Sequence, residues 1–285
     1  MVIGVIGGSG LYQWNPNTSE SIPVSTPYGA PSGEYYQEKL GEHTILFLAR
    51  HGQGHRLLPS EVNYRANIYG FKKLGAQRLI SVSAVGSLKK EIAPGDFVLP
   101  DQYLDFTKGL RSSTFFGDGI VAHVPFADPS CQTLRTHLFS LARELGIKTH
   151  LGGTYVCMEG PQFSTRAESH LYRSWDLGGA KVAVIGMTAL PEAKLAREAG
   201  LCYQTIAMAT DYDCWNEEHR DVSVEAILKL LRENAEASKE LIATLTKQPV
   251  PACRFHCADL TRQSLVTPRE IWPSSKQEEM AIILG

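Results

Sequence analysis

The sequence lacks the features that mark several large classes of protein. No apolar run approaches the roughly 20 residues that a membrane span needs, so no membrane partner is expected. The chain has 28 lysines and arginines against 30 acidic residues, and the net charge of −2 gives no support for a nucleic-acid partner. Its first residues carry no positively charged leader of the kind that directs secretion. We therefore expect a soluble, cytoplasmic protein.

The chain also has few of the cysteine and histidine patterns that bind metals. Its six cysteines, at positions 131, 157, 202, 214, 253 and 257, include no CxxC pair, and its nine histidines include no HExxH motif. Cys253 and Cys257 flank His256, but no second ligand pair stands at the spacing of a zinc finger. The sequence therefore predicts free thiols in a reducing compartment and no bound metal.

What the chain does contain is enough apolar sequence for a large core, arranged as alternating strands and helices. Of its 285 residues, 43% are hydrophobic and 20% are charged, which fits one large α/β domain or two small ones. Short apolar runs predict buried strands at residues 2–6, 44–49, 79–83, 155–158, 182–185 and 203–209. Helical patterns cover residues 60–74, 131–145, 191–199 and about 224–245. This alternation predicts a single α/β domain with a mostly parallel or mixed central sheet flanked by helices.

The pattern weakens from Lys247 onward, where prolines stand at positions 249, 251 and 268. We therefore divide the chain into a domain over residues 1–246 and a C-terminal extension over residues 247–285. The extension is expected to pack on the domain, because Leu260, Leu265, Ile271 and Trp272 would otherwise be exposed. Residues 280–284 are expected to form a short helix.

Two aspartates follow the last predicted strand, one residue apart. Asp211 and Asp213 come directly after residues 203–209, and ligands of open α/β folds bind at the carboxyl ends of such strands. Two carboxylates so close repel each other, so one should hold its proton more tightly than a free aspartate does. A protonated and an ionised carboxyl together offer a donor and an acceptor, which match N7 and the N6 amino group of adenine. The alternative is that the pair only caps the next helix or lies in solvent.

Four other predicted strands end in groups that suit an anion. The glycine-rich turn at residues 7–10 can direct several backbone N–H groups at one oxyanion, although its spacing is not the GxGxxG of dinucleotide-binding folds. Arg50 and His51 add a planar fork of cationic donors and an imidazole. Ser83 and Thr188 add hydroxyls. Each group alone is more often ordinary turn chemistry, but together at four strand ends they predict a site for free phosphate.

Motifs spread from residue 3 to about residue 246 resemble those of the methylthioadenosine phosphorylases in the trimeric purine nucleoside phosphorylase family. The matching segments are Ile6-Gly7-Gly8-Ser9-Gly10-Leu11, Ala49-Arg50-His51-Gly52 with His55, Val62-Asn63-Tyr64-Arg65-Ala66-Asn67, Gly86-Ser87-Leu88, Pro94-Gly95-Asp96, Glu159-Gly160-Pro161-Gln162-Phe163-Ser164, Met187-Thr188, Pro191-Glu192 and Ala207-Met208-Ala209-Thr210-Asp211-Tyr212-Asp213-Cys214-Trp215. The resemblance implies the nucleoside phosphorylase fold for residues 1–246, phosphorolysis of a nucleoside, and a homotrimer. It implies no cofactor, because phosphate is a co-substrate.

The resemblance also assigns a role to each candidate site residue. Phosphate would be held by Ser9, Arg50, His51, Ser83 and Thr188, with the backbone of Gly8 and Ala84. The nucleoside would be bound by Phe163 stacking on the purine, Met187 against the ribose, His55 near the sugar, and His123 entering a neighbouring subunit's site. Val222, Val224 and Ile227 would line the pocket for the 5′ substituent, and Asp211 and Asp213 would act on the purine. Several of these residues are equally typical of a plain core or surface position, above all the two histidines, Met187 and the three aliphatic residues.

Two departures from the family pattern concern the choice of base. Gly186 stands where many adenine-specific members carry asparagine and where the 6-oxopurine branch often has glycine, and Ser83 stands where threonine is common. The aspartate pair favours a 6-amino purine, since an ionised Asp213 facing a C6 carbonyl would leave unmatched polar groups at about 1–3 kcal/mol each. The alternatives that stay open are a 6-oxopurine nucleoside phosphorylase, a nucleosidase that uses water, and a non-catalytic nucleotide-binding module.

Overall fold

The protein is described by a computed structural model covering residues 1–12, 14–15, 17–175, 177–179, 181–217 and 224–285, with the backbone alone for residues 224–228. Its strands are β1 (Val2–Gly7), β2 (Glu20–Ile22), β3 (Tyr35–Leu40), β4 (His43–Ala49), β5 (Arg78–Ser87), β6 (Phe97–Leu99), β7 (Gln102–Phe106), β8 (Thr149–Leu151), β9 (Thr154–Met158), β10 (Val182–Gly186) and β11 (Cys202–Asp211). Its helices are α1 (Tyr64–Lys73), α2 (Gln132–Glu144), α3 (Arg166–Ser174), α4 (Ala189–Glu198), α5 (Val224–Lys247), α6 (Leu260–Gln263) and α7 (Ser274–Leu284).

The long strand β5 joins two halves of one mixed sheet. Its first part pairs in parallel with β1 on one side and with β11 on the other. Its last residues, Gly86 and Ser87, pair with the antiparallel strand β10, and Gly86 also pairs with Asp211 of β11. The main path runs β2-β3-β4-β1-β5-β10-β9-β7, while β11 continues to β6 and β8. Helices α1, α4 and α7 pack on one face of the sheet, and α2 and α5 pack on the other. The predicted α/β fold with a mixed sheet is therefore confirmed.

The strands that the sequence predicts are those buried on both faces. In β1, β5, β10 and β11 almost every residue is buried, so each appears in the sequence as a short apolar run. No apolar run predicts β2, β3 and β7, because their residues are largely exposed or half-buried and their sequences are polar. The strands β6 and β8 are too short to be predicted, since they have only three residues each.

The first helix begins later than the sequence analysis predicts. Ser60 does not cap it; the cap is Asn63, whose side-chain oxygen accepts a hydrogen bond of 3.2 Å from the backbone N–H of Ala66. Residues 60 and 61 belong to a turn. Asparagine and serine are both good caps, so composition alone did not decide between the two positions.

The residues after position 247 lie against the rest of the chain. Helix α7 packs on α1 through its buried Met280, Ile283 and Leu284, so the short helix predicted at residues 280–284 is present and begins earlier, at Ser274. Trp272 is buried as expected, but Ile271 is 68% exposed, which makes the expectation for that residue wrong. Among the described residues, no helix is long and apolar enough to span a membrane.

Candidate active site

A cavity of about 630 Å³ opens where β1, β4, β5, β10 and β11 end. The residues that line it include most of the predicted site: Gly8, Ser9, Arg50, His51, His55, Ser83, Ala84, Phe163, Met187, Thr188, Asp211 and Asp213. The sequence separates these residues by up to about 200 positions, and the sheet brings them together because its strands deliver their ends to one edge.

Arg50 forms the floor of the anion end of this cavity. The side chain is fully buried, and its Nε and Nη2 atoms lie 2.8 and 3.3 Å from the two carboxylate oxygens of Glu192. Nη2 also donates to Ser81 Oγ at 2.8 Å, and Nη1 donates to the carbonyl of Val82 at 3.1 Å. Burial alone would lower the pKa of Arg50, but the adjacent Glu192 carboxylate raises it above its usual value, so the guanidinium stays charged.

The pairing with Glu192 decides which part of Arg50 can reach an anion. Glu192 occupies the Nε–Nη2 edge, so the second hydrogen of Nη1 is the donor left for the cavity. Nη1 also lies 2.8 Å from where a Cβ on Gly8 would stand, and Val82 O would be 2.7 Å from that Cβ. Only glycine at position 8 therefore lets the first loop approach the guanidinium this closely. No sequence pattern identifies Glu192 as the residue that holds Arg50, because the two residues are 142 positions apart.

The two predicted hydroxyls meet at the same end of the cavity. Ser83 Oγ lies 3.3 Å from Thr188 Oγ1, and both residues are buried. Thr188 precedes α4, but its side chain makes no capping hydrogen bond to that helix. The hydroxyl of Thr188 is therefore not used to cap this helix. These two adjacent hydroxyls line the same cavity as the buried guanidinium of Arg50, and hydroxyls can donate hydrogen bonds to an oxyanion.

His51 is an uncharged group in this arrangement. Its Nδ1 lies 2.8 Å from the carbonyl of Leu57, and since a carbonyl only accepts, Nδ1 carries the proton. Burial, followed by the charge of Arg50, lowers the pKa of His51 to about 4. The neutral ring thus presents a bare Nε2, which donates to an anion only after taking up a proton. His55 stacks on His51 with ring centroids 4.3 Å apart and is exposed.

This state of His51 leads to a pH-dependent prediction. A dianion next to Nε2 should raise the pKa of His51 by about 1–3 units from its value near 4. Anion binding then takes up a proton between the two pKa values, so affinity should increase as the pH falls from 7 towards 5. Sulfate is the suitable probe, because it stays a dianion over this range. Histidine titration by NMR, with and without sulfate, measures the shift.

The exposed His256, which lies outside the cavity, is the internal control, and its NMR signals should not move when sulfate is added at constant pH. An unchanged His51 titration at saturating sulfate would show that this imidazole does not contact the anion.

Asp211 stands at the opposite end of the cavity, on a β-bulge. The register between β11 and β5 shifts between Ala209 and Asp211, so that Asp211 pairs with Gly86. Bulges next to binding sites turn a side chain out of the regular alternation. At Gly86 a Cβ would lie 3.0 Å from Asp211 Oδ1, so this glycine leaves room for the carboxyl group.

The hydrogen bonds around Asp211 are compatible with a protonated carboxyl group. Oδ1 accepts from the backbone N–H of Asp213 at 2.7 Å, and Oδ2 lies 2.8 Å from Thr210 Oγ1. Thr210 Oγ1 also lies 3.2 Å from the carbonyl of Val85, yet a hydroxyl has only one hydrogen. A protonated Asp211 that donates to Thr210, which in turn donates to Val85, satisfies both contacts. Thr210 was not singled out in the sequence, where it stood only as the neighbour of the aspartates.

Both aspartates are shifted in the same direction. Burial is the main cause that raises the pKa of Asp211 above its usual value, and the charge of Asp213 adds to it. Burial also raises the pKa of Asp213, against hydrogen bonds from Ser169 and Ser164 that lower it. Mutual repulsion, which the spacing of the two aspartates predicts, is therefore a smaller cause of the raised pKa of Asp211 than burial. Asp213 has a positive φ of 51°, an uncommon conformation for a residue other than glycine.

Phe163 and Met187 also line the cavity. Phe163 is 81% exposed at the rim, so the face of its ring is available to a flat ligand. The loop before Phe163 is held by buried Arg111, which pairs with Glu159 at 2.8 Å and donates to the carbonyl of Met187 at 2.6 Å. Arg111 ties the two segments together, and no sequence pattern pointed to it.

Gly186 has a structural reason to be a glycine. A Cβ at this position would lie 2.0 Å from the hydroxyl of Tyr155 and 3.2 Å from Val85 Cγ1. Tyr155 is fully buried, and its hydroxyl lies 3.4 Å from Ser83 Oγ. The space that a side chain at 186 would need is therefore filled from β9, so glycine here reflects packing against Tyr155.

Among the described residues of the predicted site, His123 does not line the cavity. His123 is exposed, and its backbone N–H donates to the carbonyl of Ser264 at 2.9 Å. Val222 lies outside the described residues, and the side chains of Val224 and Ile227, at the start of α5, lie outside them too. From the same helix, Leu231 does line the cavity.

The family follows from comparison with known proteins. A profile of the phosphorylase superfamily matches residues 2–247. The chain belongs to the phosphorylase superfamily. The S-methyl-5′-thioadenosine phosphorylase of Geobacter sulfurreducens is 53% identical over 285 residues, covering 100% of this chain and 98% of the relative. That of Koribacter versatilis is 50% identical, with 99% of this chain and 95% of the relative covered.

Solved structures agree with this placement in the phosphorylase superfamily. A methylthioadenosine phosphorylase from an antarctic soil metagenomic library superposes with a TM-score of 0.90 at 46% identity, covering 99% of this chain and 98% of the other. The methylthioadenosine phosphorylase of Schistosoma mansoni in complex with adenine gives a TM-score of 0.79 at 36% identity, with 86% and 90% covered. The family resemblance and the fold that the sequence predicts are thus confirmed.

Proposed function

We propose that the protein cleaves 5′-methylthioadenosine by phosphorolysis, giving adenine and 5-methylthioribose 1-phosphate. The observation that carries this proposal is one cavity with a charged, fully buried guanidinium at one end and a carboxyl group of raised pKa at the other. Relatives of about 50% identity over the whole chain are S-methyl-5′-thioadenosine phosphorylases. The products return a purine base and a methylthio sugar, which fits a role in purine and methionine salvage.

The two ends of the cavity divide the chemistry between them. Phosphate, held by Arg50, Ser83 and Thr188 and the Gly8 loop, attacks C1′ of the ribose as the glycosidic bond breaks. The bonding electrons leave with the purine, and protonated Asp211 delivers its proton to N7. Positioned general acids typically contribute about 10²–10⁴-fold in rate. The bound dianion also stabilises the positive charge that develops on the sugar, and the reaction needs no cofactor.

The base should be a 6-amino purine held by Asp213. Its carboxylate accepts a hydrogen bond from the N6 amino group, while Asp211 donates to N7. The exposed face of Phe163 stacks on the purine ring. The methylthio group would lie in an apolar slot at the start of α5, where Val222, Val224 and Ile227 are proposed to add to Leu231. His55 and Met187 would contact the ribose.

Parallel assays on methylthioadenosine, adenosine and inosine, each with and without phosphate, test this function. A buried methylthio group gains about 0.8 kcal/mol per CH₂-sized unit, while a hydroxyl in the same slot is left without a partner, so kcat/KM should be highest for methylthioadenosine. Inosine should be the poorest substrate. Equal values of kcat/KM for methylthioadenosine and adenosine would show that the 5′ substituent does not bind in an apolar slot.

Asp213→Asn is the matched variant for these assays. It removes the acceptor for N6 and can offer a donor to a C6 carbonyl, so the ratio of adenosine to inosine turnover should fall. A high inosine rate in the unaltered protein would favour the alternative, a 6-oxopurine nucleoside phosphorylase. A ratio that Asp213→Asn leaves unchanged would show that Asp213 does not face C6.

A cytoplasmic homotrimer is part of the same proposal. His123 is exposed and lies beside an apolar pair, Val121 and Val266, whose side chains are 44% and 58% exposed and whose backbones are hydrogen-bonded. Exposed apolar groups around a polar residue suit a subunit interface, from which His123 would enter the neighbouring cavity. Light scattering should give three times the chain mass of 31.4 kDa. A fully active monomer would contradict the role of His123.

A further inference from the structure

Four of the six cysteines come together far from the cavity. The Sγ atoms of Cys131, Cys202, Cys253 and Cys257 all lie within 4.8 Å of one another, and those of Cys131 and Cys253 are 3.9 Å apart. Cys131, Cys202 and Cys257 are buried, and Cys253 is partly buried. None of these cysteines lines the cavity, and the proposed phosphorolysis does not use them.

The four thiols come from three separate parts of the fold. Cys131 precedes the first residue of α2, Cys202 begins β11, and Cys253 and Cys257 lie on one loop of the C-terminal extension. In the sequence, Cys253 and Cys257 have no second ligand pair nearby, which is why the sequence predicts no metal. In the fold that second pair is Cys131 and Cys202. His256, which the sequence placed between the two loop cysteines, is largely exposed and is not part of the cluster.

The dimensions fit one tetrahedral ion. Zinc bound by four thiolates has Zn–S distances of about 2.3 Å, which place the sulfurs about 3.8 Å apart. The separation of 3.9 Å between Cys131 and Cys253 matches this value, and the limit of 4.8 Å for the whole set is compatible with it. A disulfide would need about 2.05 Å, and all six cysteines are free thiols in this structure.

The surroundings favour the negative charge of such a centre. Zn²⁺ with four thiolates carries a net charge of −2. Cys131 stands at the N-terminus of a 13-residue helix, where the partial positive charge of the helix dipole lies, and makes no capping hydrogen bond. Arg78 is paired in register with Cys202 on the neighbouring strand and is 4% exposed. Arg78 donates through Nη2 to the carbonyl of Pro251, while its Nη1 has no hydrogen-bond partner within the described part of the chain.

We propose that Cys131, Cys202, Cys253 and Cys257 form a structural zinc site. Binding converts four thiols into thiolates, releases four protons to solvent, and changes no oxidation state. All four positions are occupied by protein ligands, so the site is closed and has a structural role. The ion would fasten the loop at residues 253–257 of the C-terminal extension to α2 and β11.

Metal analysis of the full-length protein tests the proposal. Protein kept reduced, stripped with a chelator and returned to Zn²⁺, should retain one zinc per chain after gel filtration. Competition with a chromophoric chelator should give an apparent dissociation constant below about 10⁻⁸ M. Co²⁺ in place of Zn²⁺ should give the visible absorption of a tetrahedral tetrathiolate. Bound zinc should also shield these four cysteines, but not Cys214, from alkylation in the folded protein.

Cys253→Ser is the informative variant, because Cys253 is the least buried of the four. Loss of a direct ligand should weaken zinc binding by more than the roughly 10–100-fold that loss of a supporting residue costs. His256→Asn is the control on the same loop; asparagine tolerates the positive φ of 51° at this position, and zinc content should not change. If the serine variant does not fold, alkylation of the unaltered protein with and without zinc still tests the proposal.

Two results would overturn the proposal. One is reduced protein that retains no more zinc than Cys253→Ser retains, with all four cysteines equally reactive with and without zinc. The other is the discovery that the four sulfurs form two disulfides in protein prepared with zinc present and without added oxidant.

Discussion

Replacing Asp211 with asparagine should lower kcat by about 10²–10⁴-fold, the usual contribution of a positioned general acid. Asparagine keeps the shape of the side chain and can still donate a hydrogen bond to N7, but it cannot deliver a proton. The KM for the nucleoside should therefore change much less than kcat, which is the pattern of an interaction made mainly in the transition state. Steady-state kinetics at saturating phosphate measure both quantities.

Asp105→Asn is the matched control for this variant. Asp105 also lies near the end of a strand, β7, but it pairs with Lys194 outside the cavity, so its replacement should leave kcat near the parent value. If Asp211→Asn turns over nearly as fast as the parent, then Asp211 is not the acid, and its raised pKa only reflects burial.

Replacing Arg50 with alanine should affect stability and phosphate binding together. Glu192 is fully buried, and Arg50→Ala would leave it as an unpaired charge, which typically costs about 3–5 kcal/mol of folding free energy. The loss of a charged donor should also raise the KM for phosphate about 10–100-fold, with a smaller effect on the nucleoside. Arg50→Lys should rescue only part of this loss, because lysine lacks the planar donors that engage Glu192, Ser81 and Val82 at once.

A double variant separates these two effects. In Arg50→Ala with Glu192→Gln the buried charge is gone, so thermal unfolding should show most of the stability restored, while the KM for phosphate stays high. If the double variant regains the parent KM for phosphate, Arg50 supports the fold alone and the anion end of the cavity is assigned wrongly.

The sequence predicts a strand correctly where the strand is buried on both faces, because such a strand appears as a continuous apolar run. The strands β1, β4, β5, β10 and β11 are of this kind, and the groups just beyond their ends indeed meet in one cavity. The neighbours that tune these groups were not predictable, because they depend on packing. For example, Glu192 pairs with Arg50 although the two are 142 positions apart. Likewise, Tyr155 fills the space that a side chain at Gly186 would need.

The cluster of four thiols is a second feature that the sequence does not predict. Cys131 and Cys253 are 122 positions apart, and metal-binding patterns in sequence are recognised by short spacings between ligands. The sequence therefore contained both pairs of cysteines but gave no reason to join them. Only the position of the C-terminal loop against α2 and β11 does so.

The fate of the sugar in a single reaction tests the central proposal most directly. Methylthioadenosine, the protein and phosphate should give adenine and a sugar 1-phosphate in equal amounts, seen as a new ³¹P signal, and no adenine should form when phosphate is left out. Release of adenine at the same rate without phosphate, together with free methylthioribose, would show that water is the nucleophile and would contradict phosphorolysis.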